Sequence, residues 1–418
     1  MELTEHLFRR EAARMLAALT RVFGVHNLPL AEDVVQEALC RALETWKLQG
    51  VPENPSAWLM TVAKRLALDV VRRERTARTF APEIGRMLES EWTASPTLDE
   101  SLAPSAIKDS MLRMMFSCCH PKVPAEAQVG LVLSVLSGFG VREIASAFLA
   151  SEAAIEKRLA RAKQALAETR SLFDFQAGEV AARLEAVQRA LYLLFNEGYH
   201  GAHPELAVRT ELCREAIHLA GLLLEHPQAR APSTYALAAL MCLHAARLPA
   251  RVDAGGDLVA LADQDRSRFD RALAAEGARL LELAATGDTI SELHVEAAIA
   301  YEHAIAPSAG ETRWDVVVLL YDRLLALRPS PVVALNRAIA IGERDGPERG
   351  LAELHAIADR DRLETYPFYF AALAETELRC GRHAAAHAHF RAAIALARSP
   401  MERRYFELRA VRTLPVDS

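Results

Sequence analysis

The stretch Met111–Leu166, MLRMMFSCCHPKVPAEAQVGLVLSVLSGFGVREIASAFLASEAAIEKRLARAKQAL, decides the reading of this chain. The spacing predicts a helix from Pro124 to Leu136, stopped by Ser137, Gly138 and Gly140. A short helix follows over Val141–Phe148, with Ile144, Ala145 and Phe148 on one face. Ser151 stands where its hydroxyl caps the next helix, and Glu152 falls in the first turn, where the helix dipole favours an anion. That helix turns Ile155, Leu159 and Ala162 inward and Lys157, Arg158, Arg161 and Lys163 outward. Two helices crossing at a small residue such as Ala145, the second one basic, have the layout of a helix-turn-helix that reads a major groove. An ordinary helical hairpin with a solvated basic face has the same spacing. The surrounding segments have to decide between them.

Two upstream segments supply that context. Leu30–Trp46, LAEDVVQEALCRALETW, is amphipathic, with Val34, Val35, Ala38 and Ala42 inside and Asp33, Gln36, Glu37 and Arg41 outside. After a break at Gly50–Pro55 comes Ser56–Arg75, SAWLMTVAKRLALDVVRRER, whose apolar stripe reads Trp58, Leu59, Val62, Leu66 and Val70. From Ala57 to Phe80 six Lys/Arg stand against two acidic residues, a local charge of +4. Most such runs are solvated faces, but an aromatic at the head of a basic helix suits stacking on an unpaired base.

These segments and the helix-turn-helix, in this order, resemble the extracytoplasmic-function sigma factors of the sigma-70 family. Ala31–Glu37 resembles the helix of sigma domain two that grips the clamp of core RNA polymerase, implying contacts by Asp33, Gln36, Glu37 and Arg41. Trp58–Glu74 resembles the helix that melts and reads the −10 element, implying roles for Trp58, Lys64, Arg65, Arg72 and Arg73. Val141–Leu166 resembles sigma domain four, which meets the polymerase flap and reads the −35 element. There the resemblance implies Ser151, Lys157, Arg158, Arg161 and Lys163. Two departures stand out. Relatives commonly carry Asn where this chain has Arg65 after Lys64, so their −10 preference does not carry over. The turn FLAS, Phe148–Ser151, also lacks the customary Gly, which puts the placement of the recognition helix in question.

Between the two domains, Ala81–Ile107 carries Glu83, Glu89, Glu91, Asp99 and Glu100 against the single base Arg86, the composition of an acidic linker. Its 27 residues would reach roughly 90 Å fully extended. In the sigma family such a linker threads the polymerase; a plain tether has the same composition. Beyond residue 175 the composition changes: all six lysines (Lys47, Lys64, Lys108, Lys122, Lys157 and Lys163) lie earlier. Helical periodicity dominates from Ala181, with breaks at Gly198–Pro204, Pro227–Pro232, Pro249–Gly256 and Pro307–Gly310.

Phe370–Leu396 fits tetratricopeptide spacing, with Phe370, Leu373 and Ala374 in one helix, a turn at Gly381, and Ala386, Phe390 and Ala393 in the next. Trp314, Tyr321, Leu324 and Pro329 read as half of a similar unit, followed by a helix at Val332–Ile341. The segments FSCCHP (Phe116–Pro121), YLLFNEGY (Tyr192–Tyr199), QDRSRF (Gln264–Phe269), SPVVALNRAIA (Ser330–Ala340) and MERRYFELR (Met401–Arg409) extend the resemblance to a subgroup with a fused C-terminal tetratricopeptide-like domain. Relatives tend to have Trp in place of Phe269.

The expected architecture is therefore all-α: domain two over 1–80, an acidic linker over 81–107, domain four over 108–175, and a helical-repeat regulatory domain over 176–418. Expected partners are core RNA polymerase, promoter DNA and a regulatory protein bound through the C-terminal domain. A net charge of −6 suits a subunit carried to DNA by a larger enzyme better than a free DNA-binding protein. No apolar run reaches the ~20 residues of a membrane span, and no signal peptide opens the chain, so a cytoplasmic location is expected.

Cys118, Cys119 and His120 lack a second ligand pair at zinc spacing, and His383, His387 and His389 lack the intervening Glu of a metalloprotease. Neither a metal, another cofactor nor an enzymatic activity is expected. Asn196, Glu197 and Tyr199 read equally as a small-molecule pocket or as a polar cluster ordering a helix end. Two rival functions are a helix-turn-helix activator with a repeat sensor and a repeat scaffold for proteins only. The first leaves Ala31–Glu37 and Trp58–Glu74 unexplained, and the second gives the basic helix no purpose.

Overall fold

The computed structural model describes residues 2–24, 27–80, 104–148, 150–168, 177–200 and 207–413. The fold is all-α. Among the described residues the β contact is one isolated antiparallel bridge, Val252 to Leu258. The chain divides into two compact units, Met1–Leu191 and Tyr192–Ser418. The division falls within a helix, Ala177–His200, where the sequence suggested a junction near residue 175.

The first unit holds α1 (Glu2–Phe23), α2 (Leu28–Gln49), α3 (Pro55–Phe80), α4 (Pro104–Cys118), α5 (Ala125–Leu136), α6 (Val141–Ala147), α7 (Glu152–Ala167) and the first turns of α8 (Ala177–His200). Helix α1 is its hub, packing on α2, α3, α4 and α5. Ala17 and Ala18 let those neighbours close on it, and Met15 and Leu19 fill the space between. On α3 the buried line is Leu59, Ala63 and Ala67, at i, i+4 and i+8. This corrects the expected stripe: Trp58, Val62, Leu66 and Val70 are only half-buried, because the helix meets its neighbours through its small residues. Pro104–Ile107, expected as the end of the linker, begins α4, since proline suits a first helical turn. The remainder of the expected linker, 81–103, lies outside the described residues.

One junction joins the two sequence motifs within this unit. Gly138 adopts φ +64°, and a Cβ there would stand 3.0 Å from the Arg9 carbonyl oxygen. Arg9 pairs with Glu143 at 2.6 Å and lies 4.9 Å from the centre of the Phe139 ring. Only glycine permits both the turn and so close an approach of backbone to backbone.

The second unit continues with α9 (Thr210–Glu225), α10 (Pro232–Ala245), α11 (Leu248–Arg251), α12 (Arg271–Ala284), α13 (Glu292–Ile305), α14 (Trp314–Leu327), α15 (Pro331–Asp345), α16 (Pro347–His355), α17 (Pro367–Arg379), α18 (His383–Leu396) and α19 (Pro400–Ala410). Helix α10 is apolar almost all round and packs against α9, α12 and α13, as a helix without a solvent face must. Helices α8 and α9 meet at Gly198, where a Cβ would come within 2.8 Å of Cys213 Sγ and Leu212 Cβ. From α13 onward each helix packs on the next, so burial there comes from sequence neighbours. Leu373, Ala374, Ala386, Phe390 and Ala393 are all buried as the repeat spacing expected, with Gly381 at the turn and Phe370 half-buried.

The break expected at Pro249–Gly256 is longer than that. After α11 an irregular stretch runs to Asp270, interrupted by two short 3₁₀ turns. Arg266 ties it down, donating from Nη1 to the carbonyls of His303 (2.7 Å) and Ala306 (2.9 Å) at the end of α13. Asp257 and Asp263 add ion pairs to Arg404 and Arg409, both 2.7 Å. Long-range polar contacts hold this segment, and these leave no periodic trace in sequence.

Candidate nucleic-acid interface

Helix α7 is built as its sequence suggested. The Ala154 amide donates to Ser151 Oγ at 3.3 Å, and Ile155, Leu159 and Ala162 are buried. The preceding turn works without glycine: the Ala150 amide donates to the Ala145 carbonyl at 2.9 Å. Among the described residues Asp359 is the one non-glycine with positive φ, so Ala150 carries no left-handed strain. Lys157 and Arg161 are exposed on the outer face. Arg158 is half-buried, bordering an apolar depression formed by Ala127, Gly130, Ile144, Phe148, Ile155 and Leu159. None of these three cations has an ion pair among the described residues.

Lys163 differs from the outward placement expected of it. Its Nζ lies 2.5 Å from Glu32 Oε1 on α2, and both side chains are about a quarter exposed. The C-terminal half of α7 therefore meets the first motif, and Lys163 faces a carboxylate instead of solvent.

On α2, Asp33, Gln36, Glu37 and Arg41 are all exposed along one face, with Arg41 bonded to Glu37 at 2.8 Å. Beside them stand Leu43, Leu48 and Val51, which are 57%, 86% and 60% exposed. Sequence reasoning passed over these three. The signal was available, because Leu43 and Leu48 are apolar but out of phase with the buried Ala38, Ala42 and Trp46. A face combining charge with exposed leucine is suited to another protein more than to nucleic acid.

On α3, Arg65 is exposed and Lys64 half-buried. Trp58 is half-buried, its ring 5.5 Å from Trp46, which in turn lies 5.3 Å from Phe8. The aromatic at the head of the basic helix thus has one edge in the core and part of its surface open. The backbone at Arg72 and Arg73 is helical, but their side chains lie outside the described residues. Cys118 and Cys119 are buried core thiols, and burial pushes Cys119 up to about 12, far from a reactive thiolate.

Comparison with known proteins bears on the same segments. Residues 7–77 match the family Sigma-70 region 2, and residues 113–166 match Sigma-70, region 4. Residues 183–285 match a family of unknown function, DUF6596. An uncharacterized protein of Rhizobium meliloti is 39% identical over 394 residues, covering 94% of this chain and 92% of its own length. The ECF RNA polymerase sigma factor SigX of Bacillus subtilis is 23% identical over 128 residues, 30% of this chain and 62% of that protein. The RNA polymerase sigma factor CarQ of Myxococcus xanthus is 29% identical over 164 residues, 39% of this chain and 87% of that protein. Both sigma factors cover less than half of this chain, whereas the Rhizobium protein spans nearly all of it.

Proposed function

We propose that the chain is an RNA polymerase sigma factor of the sigma-70 family, which directs core polymerase to specific promoters with its second unit modulating that activity; the matches over residues 7–77 and 113–166 support this reading. In this reading Asp33, Gln36, Glu37 and Arg41, flanked by Leu43 and Leu48, hold the polymerase clamp. Trp58, Lys64, Arg65, Arg72 and Arg73 meet the −10 element. Lys157, Arg158, Arg161 and Lys163, on the helix capped by Ser151, meet the −35 element. The observation that carries the reading is the pair of exposed faces: a cationic one on α7, where Lys157, Arg158 and Arg161 have no ion pair among the described residues, and a mixed acidic and apolar one on α2.

The first unit is a closed form of this machinery. Two elements about 25 base pairs apart lie on the order of 85 Å from each other along B-DNA. A compact unit of 191 residues has a radius of gyration of only ~16 Å. Promoter engagement therefore needs the two motifs to part, breaking the Lys163–Glu32 and Arg9–Glu143 pairs and opening the Gly138 contact. Exposed or half-exposed ion pairs each contribute about 0–1 kcal/mol, so the bulk of polymerase binding can offset that loss.

The second unit contributes, in this proposal, a contact that the active holoenzyme needs. Its last helix carries Arg404 and Arg409 in ion pairs and presents Leu408 half-exposed, a rigid mixed surface. The test is reconstitution: purified chain and core polymerase should form a holoenzyme that starts transcription at a defined promoter. Deletion of 192–418 should lower that activity; a shortened chain that initiates more strongly would make the second unit an inhibitor. No holoenzyme at all would return the reading to a free helix-turn-helix activator.

A further inference from the structure

The second unit encloses a group of bases with no acids assigned to it. Arg247, in the link between α10 and α11, is 5% exposed. Its hydrogen bond among the described residues is from Nε to Gln264 Oε1, at 3.3 Å. Two arginines nearby show what a committed guanidinium looks like. Arg251 donates to the Tyr199 carbonyl at 3.2 Å and lies 4.1 Å from the centre of the Tyr199 ring. Arg266 caps the end of α13 through the two carbonyls already named. Arg247 has neither a helix end nor a carboxylate.

The groups that act on Arg247 electrostatically are Tyr199, Arg251 and Tyr321, so none supplies a negative charge while tyrosine stays protonated. Of the carboxylates in this region, Glu302 bonds Arg313 through two bonds of 2.6 and 2.8 Å, Asp257 pairs with Arg404 and Asp263 with Arg409, while Glu197, with a buried unpartnered Oε1, feels Arg209 and Arg398 and not Arg247. Tyr199 Oη, His244 Nδ1 and His303 Nδ1 are buried without a hydrogen-bond partner among the described residues, and the Arg247 guanidinium interacts electrostatically with all three residues. The Tyr199 and His244 rings are 5.1 Å apart. Burial holds both histidines neutral, with His303 down to about 3. A neutral imidazole places its ring proton on either nitrogen, so each Nδ1 is available as a donor. A buried guanidinium without counterion, beside several orphaned donors, is the arrangement that an anion completes.

We propose that Arg247, with Tyr199, His244 and His303, forms an internal site for a small oxyanion, a carboxylate or a phosphate, in the second unit. The ligand is small because Arg247 is almost fully enclosed. Its oxygens take the two free Nη groups of Arg247 as a planar fork takes a carboxylate or phosphate edge, and the tyrosine hydroxyl and imidazoles donate to the rest. Six separate segments of chain meet here, so occupancy would tighten the packing of α8, α10, α13 and α14 together. The site stands or falls independently of promoter recognition.

Calorimetric titration of the full chain at constant ionic strength tests this, using inorganic phosphate and succinate as separate probes and chloride as the reference. One of the two should give a saturable single-site isotherm and raise Tm by about 4 °C or more at saturation. Arg247→Gln should lower the affinity at least tenfold. Tyr199→Phe, which keeps the ring under Arg251, should lower it a few-fold. Without anion, Arg247→Gln should melt no lower than the parent, since it removes an uncompensated charge. Absence of saturable binding to either probe up to about 20 mM overturns the proposal. So does parental affinity in both variants, or a Tm of anion-free Arg247→Gln well below that of the anion-free parent.

Discussion

The two units differ in how part of their positive charge is held. In the first, Arg65, Lys157, Arg158 and Arg161 stand at or near the surface with no ion pair among the described residues. In the second, which contains no lysine at all, arginines are bound into the scaffold: Arg313 to Glu302, Arg337 to Asp322 and Glu353, Arg398 to Glu402, Arg409 to Asp263 and Glu375. A cation meant for a phosphate must arrive without a protein partner, whereas a scaffold cation gains most from a fixed bidentate one. Arg247 is set apart because it is buried, 5% exposed, without such a carboxylate.

The sharpest way to break this contrast is at the acidic face of α2. Reversing Asp33 and Glu37 to Lys should weaken core polymerase binding by about 2–5 kcal/mol, roughly thirtyfold to several thousandfold, with the Tm of the free chain unchanged. Equal capture of the variant by core enzyme would remove that face from the interface. Next comes Arg161→Ala, which should cost roughly 1–3 kcal/mol on the preferred promoter and relax discrimination at one position if it reads a base. A uniform loss across promoter variants would instead make it a phosphate contact. Unchanged activity on every promoter would take α7 out of the recognition scheme.

Acid should separate the units without any mutation. His303, depressed to about 3 by burial and by Arg247 and Arg266, contributes stability that is present above its unfolded value near 6.5 and lost as pH falls through that value. By pH 5 the loss is roughly 2 kcal/mol. Glu197, raised to about 7 by burial, drifts the other way, so the informative quantity is the slope difference between parent and His303→Gln. Parallel slopes for the two proteins between pH 7 and 5 would show that His303 is not held neutral. The smallest expected effect is Glu32→Gln. It frees Lys163 and loosens the closed first unit by less than about 1 kcal/mol, which should appear as slightly stronger promoter binding and slightly lower Tm. Weaker promoter binding would mean that the pair survives in the active form.

Much of this was legible without coordinates. The Ser151 cap, the phase of Ile155, Leu159 and Ala162, the exposed Asp33, Gln36, Glu37 and Arg41, and the buried Leu373, Ala374, Phe390 and Ala393 follow from rules that reach three or four residues along a helix. The stripe on α3 was misjudged because periodicity ranks residues by apolarity, while a close helix crossing selects small ones such as Ala63 and Ala67. Leu43 and Leu48 were overlooked because attention went to charge.

What the amino-acid order determined alone was the set of helices, their inner faces and the two motifs that carry the resemblance to sigma factors. All of these depend on local hydrogen bonding and spacing. Tertiary structure decided which faces meet: that Gly138 lies on Arg9, that Lys163 turns to Glu32, that the Tyr199 ring lies against His244, and that Arg247 reaches Gln264. A chain with so many comparable apolar helix faces has no local rule that pairs them. The pairing comes from the fit of whole surfaces, and the bases it leaves without acids become apparent only when the helices are assembled.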